Sequence, residues 1–279
     1  MDAKKTGKSI AFLRKQYGLT QKELADRLGV TDKAVSKWER GMGGPDISLL
    51  TKLAMALDVD IESILEGNLT HLGLKWKGIL VMDYPEGIYA DSLLYDKPVV
   101  YLQLSFFLLS GIRDIMIYGK GRDVEFLKSN IGDGSVLGVN IKYSVTDDIH
   151  NLNKERPILF EIKGINIENG VFLINGLDFI YGKDLTRTFR RLIYDSRDNV
   201  KLRSPSGKDI SIGFYPSGLN SGLKKIHLML ERGTIAFPIG SKTDLLDASI
   251  LTRILEERSG EQIADLRSIA RLRGLISGD

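Results

Sequence analysis

The run Leu19-Thr20-Gln21-Lys22-Glu23-Leu24-Ala25-Asp26-Arg27-Leu28-Gly29-Val30-Thr31 carries its own start and stop signals. Thr20 with Glu23 three residues on is a capping box, so a helix opens at Gln21 and turns Leu24, Ala25 and Leu28 inward. Gly29-Val30 makes a tight turn, and Thr31 caps a following helix over residues 32–40, closed by Gly41. That helix faces Ala34, Val35 and Trp38 inward and Lys33, Ser36 and Lys37 outward. Upstream, Ile10, Leu13 and Tyr17 form the apolar face of an earlier helix that Gly18 ends. Downstream, Gly43, Gly44 and Pro45 make a loop before helices over 47–57 and 61–65. The spacing predicts an all-α, five-helix unit, and the short glycine-containing turn before a polar, basic helix is helix-turn-helix geometry.

Charge divides unevenly along the chain. Residues 1–41 hold ten Lys and Arg against five acids, a net of +5; the whole chain is +3, so the other 238 residues carry −2. A basic head on a neutral body suits a polyanion partner, although charge alone is met as well by a solvated helical surface.

The run from Leu19 to Thr31, followed by Val35-Ser36-Lys37-Trp38-Glu39-Arg40-Gly41, closely resembles the Cro/C1-type (XRE) repressor domain over the first 65 residues. The resemblance implies double-stranded DNA as partner, with the helix after Gly29 in the major groove. Thr31, Asp32, Lys33, Ser36 and Lys37 are then the candidates for base-edge and phosphate contacts, and Gln21 matches a family position that contacts DNA. Lys22 and Lys37 suit backbone phosphate, which supplies affinity without sequence choice. Two residues have plainer readings: Trp38 as core, and Asp32 as a helix N-terminal charge.

The 279 residues, 43% of them hydrophobic, suffice for two domains. No apolar run nears the roughly 18 residues of a membrane span, and Met1-Asp2-Ala3-Lys4-Lys5 does not open an export signal. The expectation is a cytoplasmic protein with no membrane partner. Zero cysteines exclude disulfides, thiolate metal sites and cysteine nucleophiles, and His71, His150 and His227 are too scattered for a cage. Any metal has to use carboxylates.

From Trp76 the pattern changes to short apolar runs between helical stretches, the mark of βαβ units and a mainly parallel sheet. Strands are expected over 78–82, 114–118, 139–143 and 171–174, and helices over 98–110, 124–129, 185–194, 223–231, 245–257 and 265–272. The organisation is a helix-turn-helix domain over 1–68, a connector over 69–75 and a Rossmann-like α/β domain over 76–279. Neither Gly119-Lys120-Gly121 nor Gly132-Asp133-Gly134 completes a dinucleotide fingerprint, and no Walker-type lysine loop is present.

Several collinear segments resemble the sugar-1-phosphate nucleotidyltransferases, nearest to the glucose-1-phosphate thymidylyltransferase group. They are Leu94-Tyr95-Asp96-Lys97-Pro98-Val99-Val100-Tyr101, Leu109-Ser110-Gly111-Ile112-Arg113-Asp114-Ile115-Met116-Ile117 and Ile131-Gly132-Asp133-Gly134-Ser135. Two later segments follow in order, around residues 173–182 and from Arg232-Gly233-Thr234 to the terminal Arg273-Gly274-Leu275-Ile276. The resemblance implies a Rossmann-like α/β/α sandwich, an oligomer (a homodimer or a dimer of dimers) and a sugar phosphate or nucleotide-sugar ligand.

The departures fall where that family's chemistry resides. Its glycine-rich phosphate loop, Gly-Gly-x-Gly-Thr-Arg, is replaced by Met82-Asp83-Tyr84-Pro85-Glu86-Gly87-Ile88-Tyr89, with one glycine and no arginine. Its phosphate-contacting lysine has no counterpart; Lys97 matches a structural Lys-Pro position. Its metal-binding Gly-Asp-Asn reads Gly176-Leu177-Asp178, and its Asp-Thr-Gly-Thr reads Pro238-Ile239-Gly240-Ser241. The Gly-Leu-Ala-Gln segment is absent near 157–163, and much of the sugar-binding section before Arg232 is missing. No metal ligands or catalytic residues are therefore assigned, and no cofactor is expected. Asp83, Asp178 and Gly240 mark the remnant cleft as a ligand site, with Asp83, Asp178 and Asp244 the carboxylates from which a replacement Mg²⁺ site would be built. Three functions stand open: a DNA-binding regulator with a ligand-sensing, catalytically silent body, a working nucleotidyltransferase with an autoregulatory head using Mg²⁺, and an interaction scaffold.

Overall fold

The computed structural model describes residues 2–16, 19–57, 59, 61–66, 76–147, 149, 170–182, 185–216, 224–272 and 275–276. The chain divides into two compact units, Met1–Gly73 and Leu74–Asp279. Tyr17, Gly18, residues 69–75 and the 157–163 segment, all used in the sequence reading, lie outside the described residues.

The first unit is built from α1 (Ala3–Gln16), α2 (Gln21–Leu28), α3 (Asp32–Glu39), α4 (Ile47–Ala56) and α5 (Ile61–Glu66). The capping box forms in full: Thr20 accepts from the Glu23 N–H, and Glu23 reaches back to the Thr20 N–H at 2.6 Å. Gly29 ends α2 at φ 69°, a left-handed conformation that favours glycine, and Thr31 caps α3. Ile10, Leu13, Leu24, Leu28, Val35, Trp38, Leu53, Leu57 and Ile64 close one core. Helix α1 crosses α3 so tightly that a Cβ on Gly7 would lie 2.0 Å from the Trp38 carbonyl oxygen.

The second unit centres on β1 (Lys77–Val81), followed by β2 (Leu93–Leu94), β3 (Lys97–Pro98), α6 (Val99–Leu109), β4 (Asp114–Gly119), α7 (Gly121–Ile131) and β5 (Asn140–Val145). Next come β6 (Val171–Asn175), β7 (Asp178–Tyr181), α8 (Leu185–Asp195), β8 (Asn199–Arg203), β9 (Asp209–Tyr215), β10 (Lys225–Met229), β11 (Ile235–Pro238), α9 (Lys242–Ser259) and α10 (Leu266–Leu272). Seven strands form one sheet in the order β10-β8-β9-β6-β1-β4-β5, and β7 pairs with β11 in a separate ribbon. Strand β1 lies parallel to both β4 and β6, β4 to β5 and β8 to β10, whereas β9 runs antiparallel to β6 and β8.

Burial on both faces of β1 explains its unbroken apolar run. Leu80 joins the cluster under α6, Ile79 and Val81 join Tyr118, Val171, Leu173 and Tyr215 on the other face, and Gly78 lets Phe107 approach. Phe172 of β6 sits among Phe214 at 4.4 Å, Phe107 at 5.0 Å and Phe189 at 5.5 Å between ring centroids, so one ring joins α6, α8 and the sheet.

One expected element is overturned. The described part of the helix expected over 223–231 is a strand instead: β10 occupies Lys225–Met229, parallel to β8, with the Leu230 N–H bonded to the Arg203 carbonyl. Ile226, Leu228 and Leu230 alternate with a period of two, which suits a strand, and pairing with β8 decides between the readings. The β8–β9 hairpin also went unanticipated, although Ser204-Pro205-Ser206-Gly207 is a turn signal between two alternating runs.

Trp38 and Trp76 sit in different cores and report the two units separately. Phe172→Ala is expected to lower the stability of the second unit by about 3–5 kcal/mol. In chemical denaturation of single-tryptophan variants, the Trp76 transition should move and the Trp38 transition should not.

Candidate functional site

Helix α3 and its cap leave Thr31, Asp32, Lys33 and Lys37 exposed and Ser36 half-buried, while Val35 and Trp38 stay in the core. Trp38 is thus core. Lys33, Ser36, Lys37 and Arg40 follow the i, i+3, i+4, i+7 spacing of a single face, giving a polar, basic ridge. Thr31 spends its hydroxyl on the Ala34 N–H at 3.2 Å, and the Asp32 carboxylate accepts from the Lys33 N–H at 2.8 Å in the first turn. Lys22 is exposed at the start of α2.

Gln21 is held from behind. Its Nε2 donates to Glu39 Oε2 at 2.8 Å, and Glu39 is gripped by Arg14 through Nε and through Nη2 at 3.0 Å. Arg14 also donates to the Leu19 carbonyl, so this cluster ties α1, the entry to α2 and the end of α3 together. Burial alone pushes the Glu39 carboxyl up, but the hydrogen bonds from Arg14 and Gln21 outweigh it and hold it below the usual range. Sequence reading missed Arg14 and Glu39. The available signal was position: Arg14 follows Leu13 on the buried side of α1, and Glu39 lies one turn beyond Val35, where a charge requires a partner.

In the second unit, β1, β4 and β6 end side by side, the place where open α/β sheets take ligands. The protein's own side chains occupy this edge. Met82 lies on Gly119, where an added Cβ would come within 2.2 Å of its terminal methyl. Tyr84 and Ile88 are buried; the Tyr84 hydroxyl donates to Gln103 Oε1, and Gln103 Nε2 donates to the Gly176 carbonyl at 2.5 Å. Burial, reinforced by the Asp123 charge, holds the Tyr84 phenol well above the usual tyrosine range. Farther along the loop, the Ala90 N–H donates to Asp123 at 2.7 Å, and Lys242 lies against Gly87, whose φ is 76°.

The residues marked for the remnant cleft take separate duties. Asp83 follows β1 and is half-buried. Asp178 is buried and turned toward β9, where its Oδ2 accepts from the Ser211 N–H at 2.7 Å, while its Oδ1 has no partner among the described residues. Burial, the largest effect, raises this carboxyl to about 6 against the opposing Ser211 bonds. Gly240 donates its N–H to Asp244 Oδ2 at 3.0 Å, and Ser241 and Asp244 cap α9 reciprocally. The Ile239 N–H bonds the Leu177 carbonyl, which sets Gly240 next to the β7 edge. Leu177 itself is core. With Leu177 buried, Asp178 facing Ser211 and Asp244 committed to a cap, these residues do not fit a Mg²⁺ pair, and no group of three or more His, Asp or Glu able to hold a metal occurs among the described residues. No helix among them is long and apolar enough to cross a membrane.

Comparison with known proteins places both units. Residues 10–64 match the helix-turn-helix family model. The chain is 33% identical to glucose-1-phosphate thymidylyltransferase of Mycobacterium tuberculosis over 240 residues, covering 67% of this chain and 82% of that protein. The Mycolicibacterium smegmatis enzyme of the same name is 28% identical over the same coverage. The head is similar to the HTH-type transcriptional regulator YqaE of Bacillus subtilis, described as uncharacterized, at 34% identity over 73 residues, 26% of this chain and 63% of YqaE. The fold matches a solved Bacillus anthracis structure, named as a candidate glucose-1-phosphate thymidylyltransferase in complex with sucrose, at a TM-score of 0.50 and 14% identity, covering 64% of this chain and 95% of that one.

Two of the covered carboxylates, Glu39 and Asp178, predict opposite pH responses. Glu39, lowered when folded, contributes stability that is complete above the unfolded value of about 4.3 and is lost as pH falls through the folded one. Glu39→Gln should lower first-unit stability by about 1.5–3 kcal/mol at neutral pH and flatten its acid limb in denaturation followed by circular dichroism. Asp178, raised to about 6 from about 3.9 unfolded, keeps its proton better when folded, so second-unit stability should fall by about 2–3 kcal/mol between roughly pH 4 and 6 and then level off. The same measurement on Asp178→Asn should remove this carboxyl's share of the decline, leaving only what Asp123, also raised by burial, contributes.

Proposed function

From the premise that the chain belongs to the glucose-1-phosphate thymidylyltransferase family and carries an XRE-type helix-turn-helix unit ahead of that region, we propose that it is a DNA-binding transcriptional regulator. In this reading the second unit is catalytically silent and serves to bind a sugar phosphate or nucleotide-sugar, to hold copies of the chain together, or both. The observation that carries the reading is the capped, solvent-facing ridge of α3, held in place by the Arg14–Glu39–Gln21 cluster. The filled strand-end loop supports catalytic silence: Met82 and Tyr84 stand where a backbone cradle for phosphates would need open N–H groups.

In the complex with double-stranded DNA, α3 enters the major groove with its N-terminal residues toward the base edges. Thr31, Lys33 and Ser36 read donors and acceptors there, and Asp32 accepts from a cytosine amino group. Lys22 and Lys37 neutralise phosphates, and Gln21 sits at the mouth of α2 with its amide oriented by Glu39. Two heads from a homodimer, or four from a dimer of dimers, meet half-sites about one helical turn apart. The site of action is the cytoplasm.

The test is fluorescence anisotropy on a DNA site selected from a random pool. Lys37→Ala is expected to weaken binding to all sequences by a similar factor and to reduce the salt slope by about 1; Asp32→Ala should relax choice at one base pair by about 1–3 kcal/mol. Failure of the wild-type chain to select any sequence overturns the regulator reading. Thermal shift against sugar-1-phosphates and nucleotide-sugars tests ligand binding, since a ligand at 100 times its Kd adds about 2.7 kcal/mol. Release of pyrophosphate from a nucleoside triphosphate, Mg²⁺ and a sugar-1-phosphate would instead establish a working nucleotidyltransferase.

A further inference from the structure

Strand β10 ends the seven-stranded sheet, with β8 as its single neighbour among the described residues. Two bonds at its ends fix where its backbone groups point: the Asn199 N–H donates to the Lys224 carbonyl, and the Leu230 N–H donates to the Arg203 carbonyl. Along a strand the N–H and C=O of one residue point to one side and those of the next to the other, so Ile226 and Leu228 also turn theirs to β8. Lys225, His227 and Met229 turn theirs outward. All three are exposed, so the edge offers a row of open donors and acceptors, a template for one more strand.

The side chains on the two faces of this edge identify what it accepts. Ile226, Leu228 and Leu230 share a face with Val200 and Leu202 of β8; Leu228 and Leu230 pack on that core, and Ile226 stays 37% exposed at its margin. The opposite face carries Lys225 and His227 beside Lys201 and Arg203 of β8. Asp209 is the only acid in β8, β9 and β10, and it is already engaged: Arg203 Nε donates to its Oδ1 at 2.7 Å, and His227 Nδ1 lies 3.9 Å from the same oxygen. Lys201, Arg203 and Lys225 against Asp209 alone leave this face positive. Lysine on an edge strand guards against pairing with an identical edge, because the two repel. The same charges favour a strand of opposite sign. Nucleic acid meets the charge but has no row of amide donors and acceptors to match the open backbone, whereas an extended polypeptide meets both.

We infer that the open edge of β10 binds an acidic polypeptide segment in extended conformation, which joins the sheet as a further strand. Its backbone bonds to Lys225, His227 and Met229, its apolar side chains extend the core beside Ile226, and its alternate, acidic side chains lie beside Lys225. The inference gives the second unit a protein partner and does not depend on the DNA-binding reading.

The probe is a fluorescein-labelled peptide of alternating valine and glutamate, titrated with the full chain and followed by anisotropy. Two control peptides alternate valine with lysine, which reverses the charge, and proline with glutamate, which keeps the charge but cannot join a sheet. Only the valine–glutamate peptide is expected to bind, and in amide exchange followed by NMR it should slow the N–H groups of Lys225, His227 and Met229. Lys225→Glu should weaken binding by at least about tenfold, because it sets like charges side by side. His227→Pro removes an outward N–H and no bond to β8, so it should abolish binding while the unfolding transition of the second unit stays in place. Should that variant fail to fold, Lys225→Glu and the exchange pattern still decide. No binding by the wild-type chain overturns the inference. Equal binding of the proline–glutamate peptide, binding indifferent to Lys225→Glu, or binding without slowed exchange at the three outward amides does so too, since each reduces the contact to something other than strand addition.

Discussion

Gln103 is a fully buried amide in the middle of apolar α6, and both of its ends are bonded to strand-end loops. Its carbonyl accepts from the Tyr84 hydroxyl in the loop after β1, and its NH₂ donates to the Gly176 carbonyl after β6. An amide in that place without partners would cost several kcal/mol, so the two loops and the helix are fixed as a set. The requirement reaches into the sequence around it. Position 84 needs a side chain long enough to reach α6 with a donor, which a run of glycines cannot provide. Met82 packs over Gly119 beside it, and Leu177 faces the core. The crevice that the sheet topology creates is thereby converted into packed interior.

The first unit solves a related problem with charge. Arg14 and Glu39 are both largely covered, and each is tolerable only because the other, Gln21 and the Leu19 carbonyl complete its hydrogen bonds. Polar groups in both units therefore fix angles between elements that apolar contacts alone would leave adjustable. The difference lies in titration: the Gln103 bridge holds no carboxylate, whereas the Arg14–Glu39 pair depends on an ionised one.

The helical head was legible nearly residue by residue, because its signals are local. Thr20 with Glu23, Gly29 and Thr31 sit at fixed offsets from the turns they end or begin, and the structure forms each of them. Strands β1, β4, β5 and β6 of the second unit were legible for the same reason, as apolar runs bounded by turns, whereas the two-residue β2 and β3 were not. Beyond Asn175 the sequence reading weakened where pairing, not propensity, decides. Residues 225–229 satisfy a helical count as well as an alternating one, and only β8 beside them selects the strand. The site residues divide likewise: exposure of Lys33 and Lys37 follows from periodicity, but the Gln21–Glu39 and Tyr84–Gln103 bonds join residues 18 and 19 positions apart. Asp178 shows the limit most clearly. Its placement one position after Leu177 predicts a change of face, but that the new face abuts Ser211 depends on a strand, β9, that the sequence reading did not contain.

These bonds also set the terms on which a ligand could act. A molecule entering the end of β1 has to displace Tyr84 from Gln103, leaving a buried amide half satisfied, a penalty of about 1–3 kcal/mol that its own contacts with the loop must exceed. Binding there is therefore tied to a change of loop state. Ligand can alter an equilibrium elsewhere in the molecule only by as much as its affinities for the two states differ. A loop that is either pinned to α6 or released from it supplies two such states, whereas a preformed open cradle would bind without discriminating. Within the proposed function, filling the crevice with Met82 and Tyr84 is thus compatible with sensing, and it makes the loop after β1 the element whose two positions a sensor would read.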